Sequence, residues 1–369
     1  MVRKLSALFA ILFLTTSLFA QLTVPPNGGN KKASVSERIG ITDVTIHYDR
    51  PAVKGREGKI WNGLVHSGFR DLGFGSSKAA PWRAGANENT TITFSTEAKV
   101  EGKDIKAGTY GFFVAMETGE ATLIFSNNNA SWGFFFYDPK EDALRVPVKT
   151  ILLNESVERL KYEFSDETDS SATIALIWEK LKIPFKVEVD YVKTQMEFFR
   201  HELRGNKGLK SEAWQQAAQF ATDHNANLEE GLLWSNYSLN GVFIGEKNFK
   251  NYATKAEILS KLGKTTDADA TLKIAMAMAS MEELHQYGRH LLQQKRNKEA
   301  LEVFKTNAQK NGNNYTTYMG LARGYSANGN YATALKNAQL GLTLAKNAAE
   351  KDIADKMIST LKEGKAINQ

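Results

Sequence analysis

Between Ser34 and about Val189 the chain alternates apolar and polar residues with a period of two, the pattern of half-buried strands. Ile39 and Ile41, then Val44, Ile46 and Tyr48, carry the first alternation. Residues 91–96, 110–116, 121–126, 132–138, 143–150, 156–165, 171–179 and 182–189 read as further short strands. Glu101-Gly102, Ala107-Gly108, Thr118-Gly119, Asn127 to Asn129 and Asp166 to Ser171 supply turns between them. Many short strands with no intervening helix predict an antiparallel β-sandwich or barrel-like domain over 34–189.

Near Asp190 the period changes. Val192, Met196, Phe199 and Leu203 fall at helical spacing, Gly205 to Gly208 interrupts, and from Ser211 the pattern stays helical. A repeat lies within this half. Gly263, Ala268, Leu272 and Ala275 recur as Lys295, Ala300, Phe304 and Ala308, and again as Gly329, Ala334, Ala338 and Gly341. Tyr252, Ala256 and Leu259 correspond to Leu284, Gly288 and Leu291, then to Tyr318, Ala322 and Tyr325. From Ala268 to Ala300 to Ala334 the steps are 32 and 34 residues, close to the tetratricopeptide period. Residues from Asn251 to Leu342 therefore resemble tetratricopeptide repeats, and the helices over 211–245, with Trp214 and Trp234, read as a degenerate leading pair. The fold class is α+β multidomain: a β-sandwich or barrel-like domain, then an all-α tetratricopeptide-like repeat domain over 190–369.

A second resemblance rests on motifs. Ile46-His-Tyr-Asp-Arg-Pro51, Val53-Lys-Gly-Arg56, Lys59-Ile-Trp61, Trp82-Arg-Ala-Gly-Ala-Asn-Glu88 and Thr91-Ile-Thr-Phe94 form one set. Ala107-Gly-Thr-Tyr110 and the run from Tyr137 to Val146 extend it. Over roughly Ala33 to Thr150 the chain resembles a bacterial family, domain of unknown function 2911. Gly68 to Ala80 departs from that family as a longer, Gly/Ser-containing insert. The resemblance implies an exported β-rich domain, often followed by helical repeats, and it brings no established activity or catalytic residue.

The start of the chain agrees with export. Arg3 and Lys4 precede an apolar stretch from Leu5 to Leu14 and a more polar run ending at Ala20, the three parts of a secretory signal peptide. The apolar stretch is too short for a bilayer, which needs about 20 residues. Residues 1–20 are thus expected to be removed, with cleavage after Ala20, leaving an extended leader over 21–33 that contains Pro25, Pro26, Gly28 and Gly29. The expected location is the periplasm or the exterior. The chain has no cysteine, which excludes thiol chemistry and disulfides. Without Arg3 and Lys4 the formal charge falls from +6 to +4, spread among acidic residues, so no nucleic-acid partner is expected. No transmembrane segment and no cofactor are expected either.

Candidate chemistry is sparse. Arg83, Asn87 and Glu88, beside Trp82 and Gly85, form the densest polar cluster. A guanidinium, an amide and a carboxylate next to an indole could grip a carboxylate, sugar hydroxyls or a peptide end. Against that stands a structural corner, in which Arg83 satisfies loop carbonyls and Trp82 caps the core. His47 and Arg50 join the ligand candidates, although alternation turns His47 outward if Tyr48 faces the core. Trp132 and Phe134 to Tyr137 offer a glycan-stacking face or simple core.

No metal site is expected. His285 and His290 stand about 140° apart on a helix, and Asp138, Glu141 and Asp142 read as a solvated turn. Gly73-Phe-Gly-Ser-Ser77 lacks the nucleophile-elbow spacing. In the repeats, Asn314, Tyr315 and Arg323 are candidates for contacting a protein on the concave face. The expected function is an exported cell-envelope binding protein, its β domain holding a small or glycan-like ligand and its repeats a protein partner. The alternative is a hydrolase or lyase acting on sugars through Arg83, Glu88 and His47.

Overall fold

The structure, a computed structural model, describes residues 29–367. The expected signal peptide and most of the expected leader lie outside the described residues. The described chain divides after Thr194 into two compact units.

The first unit holds two antiparallel sheets. Strands β1 (Lys31–Ile39), β2 (Thr42–Arg50), β3 (Thr90–Phe94), β6 (Gly108–Met116), β7 (Glu120–Ser126) and β8 (Asp142–Lys149) lie side by side in that order. The other sheet runs β5 (Lys103–Ile105), β4 (Ala98–Val100), β10 (Ser171–Glu188), β9 (Ile151–Ser165). Register explains the alternation. Val44 faces Phe94, Ile46 faces Ile92, and Phe112 faces Phe125, so each pair turns its side chains to one face. That face packs on Leu160, Ile174, Trp178 and Phe185 of the second sheet in one continuous core. Phe112 and Phe185 meet across it with ring centroids 5.7 Å apart. The unit is therefore an antiparallel β-sandwich.

Three expected elements differ. Lys31 to Ala33, placed in the leader, already belong to β1. Segments 171–179 and 182–189 are one strand, β10, with a bulge at Glu179. Glu179 takes a φ of 50°, and its buried carboxylate accepts the Gly58 N–H at 3.0 Å. Residues 132–138 are a turn, not a strand. Gly133 has a φ of 64°, which breaks the extended backbone, and the turn covers the outer face of β6 and β7. Tyr137 packs there on Phe113, Ala115 and Ile124 in a second small core, so the central strands are buried on both faces.

The second unit is helical. After α1 (Tyr191–Glu202) come α2 (Ser211–Asp223), α3 (Leu228–Asn240), α4 (Phe249–Lys261), α5 (Thr265–Met278), α6 (Met281–Gln293), α7 (Asn297–Asn311), α8 (Tyr315–Ala327), α9 (Tyr331–Thr343) and α10 (Ala348–Lys362). Helices α2/α3, α4/α5, α6/α7 and α8/α9 pack as successive hairpins, and first helices pack on first helices: α2 on α4, α6 on α8. Ser280 with Glu283 closes a capping box at the start of α6, and Asn314 with Thr317 does the same for α8.

Ala268, Ala300 and Ala334 occupy the same turn of α5, α7 and α9 and are all buried, which lets each pair approach closely. The repeat register needs one correction: the residue in line with Ala275 and Gly341 is Asn307, not Ala308. Asn307 is fully buried, and its amide donates to the Met281 carbonyl at 2.9 Å, a polar residue satisfied at an apolar position.

Phe304 locks the stack. Its ring, from α7, sits in a socket of three glycines on the adjoining first helices: Gly288 of α6 and Gly320 and Gly324 of α8. A Cβ at these positions would lie 2.4, 2.6 and 2.9 Å from the ring. Gly288→Ala is therefore expected to destabilise the helical unit by about 1–3 kcal/mol through overpacking, although alanine is the better helix former. Urea unfolding would measure this. Adding Phe304→Leu to Gly288→Ala should recover part of the loss, the coupling expected of residues in contact.

Candidate functional site

The segment from Pro51 to Asn89 leaves β2, travels outside the ladder of β3 and returns. Trp82 is its anchor. Its N–H donates to the Val114 carbonyl at 2.9 Å and its carbonyl accepts the Val114 N–H at 2.8 Å, so the segment pairs with β6 beyond the end of β3. The Trp82 indole is buried, stacked on Trp178 at 6.1 Å and edge-on to Trp61 at 5.6 Å.

Arg83 follows, buried at 9% exposure. Its guanidinium lies over the Phe134 ring at 4.2 Å and the Phe135 ring at 5.0 Å, and it donates to the Asn87 carbonyl. A Cβ on Gly133 would come within 2.3 Å of the guanidinium carbon, and its φ of 64° disfavours a side chain, so glycine leaves the guanidinium its place. Burial pushes the guanidinium down to about 10, still protonated at neutral pH.

The rest of the loop is held from the core. Ala84 takes a left-handed φ of 51°. Its carbonyl accepts the Tyr162 hydroxyl at 2.7 Å and the Thr90 hydroxyl at 3.2 Å. Gly85 packs so closely that a Cβ would sit 2.6 Å from Thr90 Oγ1 and 3.2 Å from the Asp49 carbonyl. Its smallness thus serves a neighbouring strand.

A cavity of about 420 Å³ opens beside Arg83. Trp82, Arg83, Asn87 and Gly85 line it, as do Arg56, Trp178, Phe134, Phe135 and the exposed rim residues Leu64 and Trp132. The remaining candidates lie elsewhere. Glu88 pairs with Lys32 of β1 and does not line the cavity. His47 is exposed on the outer face of β2, between Ser34 and Thr91 in register. Arg50 donates from Nε to the Leu160 carbonyl at 2.9 Å, tying β2 to β9. Arg83, Glu88 and His47 therefore do not converge on the cavity. Sequence reading passed over Arg56 as chemistry, although it stands in Val53-Lys-Gly-Arg56, and it had no local signal for Trp178, a core residue of β10. The acidic turn is internally used: Asp142 accepts from the Tyr137 hydroxyl at 2.7 Å and pairs with Arg145.

In the helical unit Asn314 caps α8, and the Tyr315 hydroxyl donates to the Glu350 carbonyl at 2.9 Å. Both have structural roles. Arg323 is half-buried on α8, and burial together with Arg289 holds its guanidinium below its ordinary value.

A cluster that the sequence did not bring together lies on α2, α4 and α6. Ligand atoms of Asp223, Glu257 and His290 fall within 4.8 Å of one another, beside a 470 Å³ groove. Glu257 is buried, and Gln294 Nε2 donates to it at 2.7 Å while His290 Nε2 and Arg296 Nη1 stand at 3.7 and 3.6 Å. With its carboxylate already held by three groups, we read the cluster as an interhelical strut. His285 is buried 5.8 Å from the Phe304 ring centroid, away from this group.

The comparisons with known proteins come to rest on these two units separately. Residues 30–187 match the family described as Protein of unknown function (DUF2911). The match extends past the stretch of recognisable motifs into the last residues of β10 and so spans both sheets of the sandwich. No curated protein matches the chain.

Among solved structures, the chain is similar to "YrrB: a TPR protein with an unusual peptide-binding site", at 17% identity over 45% of this chain and 84% of that one, TM-score 0.26. MamA 41-end from Desulfovibrio magneticus RS-1 gives 14% identity over 43% and 95%, TM-score 0.25. Pseudomonas aeruginosa pilF gives 17% over 44% and 80%, TM-score 0.27. Scores this low carry no argument, and the tetratricopeptide-like assignment stands on this chain's own hairpins and 32- and 34-residue steps. Among the described residues no helix is long and apolar enough to cross a membrane.

The strut has a pH signature. Burial alone would raise Glu257, but the neighbouring His290, the hydrogen bond from Gln294 and the charge of Arg296 hold it below its ordinary 4.5. The Glu257 carboxylate, 3.7 Å away, holds His290 above 6.5 against burial. The His290 contribution is full below pH 6.5 and fades as pH rises through its raised value. That of Glu257 is full above pH 4.5 and fades as pH falls through its lowered value. His290→Gln is expected to cost up to about 1 kcal/mol near pH 5.5 and less at pH 9. Urea unfolding of variant and wild type across pH would show a constant difference if the pair contributes nothing.

Proposed function

We propose that this chain is an exported binding protein of the cell envelope, periplasmic or secreted, in which the sandwich holds a small ligand and the helical repeats dock a protein. The observation that carries the ligand half is the 420 Å³ cavity beside Arg83. Its size falls within the range of small-molecule sites, and its walls combine aromatic faces with a few fixed polar groups, the usual makeup of such sites. The protein half rests on architecture: stacked helical hairpins present their first helices as an extended surface suited to a peptide or partner helix. Export rests on the charge, apolar stretch and Ala20 of the first twenty residues.

Two experiments test the reading. Expression of the full chain in a Gram-negative host should yield a protein in the periplasmic or culture fraction whose N-terminus, read by mass spectrometry, is Gln21. Retention in the cytoplasm with Met1 intact would refute export. For docking, cross-linking from an envelope extract should capture the same partner with wild type and with His47→Ala. Gln286→Arg, which puts bulk and charge at an exposed position of the α6 groove, should reduce capture several-fold without changing unfolding. Equal capture by both variants would remove this groove from the interaction.

A further inference from the structure

The cavity beside Arg83 has a charge pattern that narrows its ligand. Its lining includes two arginines, Arg56 and Arg83, and no aspartate or glutamate. Arg83 is drawn out of water onto two phenyl faces, and the bond it makes is to a neutral carbonyl, that of Asn87. Its lowered basicity comes from burial alone, with no nearby carboxylate offsetting it. A buried guanidinium is ordinarily paired with an anion, because an uncompensated charge in a low-dielectric site costs several kcal/mol.

Arg56 is half-buried and spends Nε and Nη2 on the carbonyls of Val53 and Ala52, at 2.9 and 2.7 Å, which fixes the plane of its fork. Trp178 also lines the cavity, and its buried indole N–H finds no acceptor among the described residues. Donors predominate, so the complementary ligand is an acceptor-rich anion. The walls add a shape: Trp82 and Trp178 lie deep, while Trp132 and Leu64 stand 54% and 55% exposed at the rim. Flat apolar faces of this kind match a ring.

We propose that the cavity binds a ring-borne carboxylate, an aromatic acid or a uronic acid, with the carboxylate on Arg83 and Arg56 and the ring against Trp132. This rests on the reading of the cavity as a ligand site. Planar guanidinium forks suit a carboxylate bidentately, and arginine serves where such geometry matters. The rigid seat of Arg83, pinned by Gly133, Phe134 and Phe135, means that little ordering is left for binding to supply.

Calorimetry on the full chain would use benzoate and glucuronate as ring acids, benzamide and glucose as neutral counterparts, and inorganic phosphate as an anion without a ring. Binding by benzoate or glucuronate, at least tenfold tighter than by the matching neutral probe, is the expected result, and which acid binds tells aromatic from sugar. Arg83→Gln should weaken it roughly ten- to hundredfold, the span of a charge-assisted bond. Arg56→Gln should weaken it too; since Arg83 is buried and Arg56 bonds two loop carbonyls, the exposed rim variant Trp132→Ala accompanies them and should weaken binding with an unchanged unfolding midpoint. Neutral probes binding as tightly as their acids would overturn the carboxylate while leaving a ligand site. Phosphate binding as tightly as the ring acids would overturn the ring. No binding by any of the five probes would overturn both the inference and the ligand half of the functional reading.

Discussion

The cavity of the sandwich depends on how Trp82 is held. Its backbone exchanges both hydrogen bonds with Val114, so a loop residue becomes one rung of a strand. Neighbours along an extended backbone point to opposite sides. With the Trp82 indole turned into the core against Trp178, Arg83 is turned the other way, under the aromatic turn from Trp132 to Tyr137. A long charged side chain would normally reach water. Here Gly133, Phe134 and Phe135 close over it and leave the cavity as its opening. The left-handed Ala84 that follows persists because Tyr162, reaching from β9, bonds its carbonyl.

The helical unit solves a different problem with small residues. Buried alanines at one turn of each second helix bring hairpins together, and the three glycines around Phe304 let one ring fill the space between consecutive first helices. Two larger buried polar groups are compensated: Asn307 donates to a carbonyl, and Glu257 accepts from Gln294 beside the charges of His290 and Arg296. A close-packed interior gives a stack of repeats one register.

Much of the candidate site stood in one stretch of sequence. Trp82, Arg83, Gly85 and Asn87 were legible as a cluster because they are adjacent, and all four line the cavity. Adjacency also misled. Glu88 is next in the chain but turns to Lys32, and Arg50, near His47 on β2, is a strut to β9. Arg56 and Trp178 come from segments far from Arg83 in sequence, and nothing local marks them as its neighbours. The same holds for Asp223, Glu257 and His290, brought together only by the packing of three helices.

What the sequence determined by itself was periodicity and therefore class. Alternation of period two requires strands with one buried face, and a recurring small-residue pattern with steps of 32 and 34 requires repeated hairpins. These are local statements, carried by residues close in the chain. Tertiary structure decided the rest: that 132–138 is a turn over a second small core, that β10 runs unbroken through a bulge, and which polar side chains share a cavity. Each of these depends on contacts between segments tens of residues apart, whose register and packing no local pattern records.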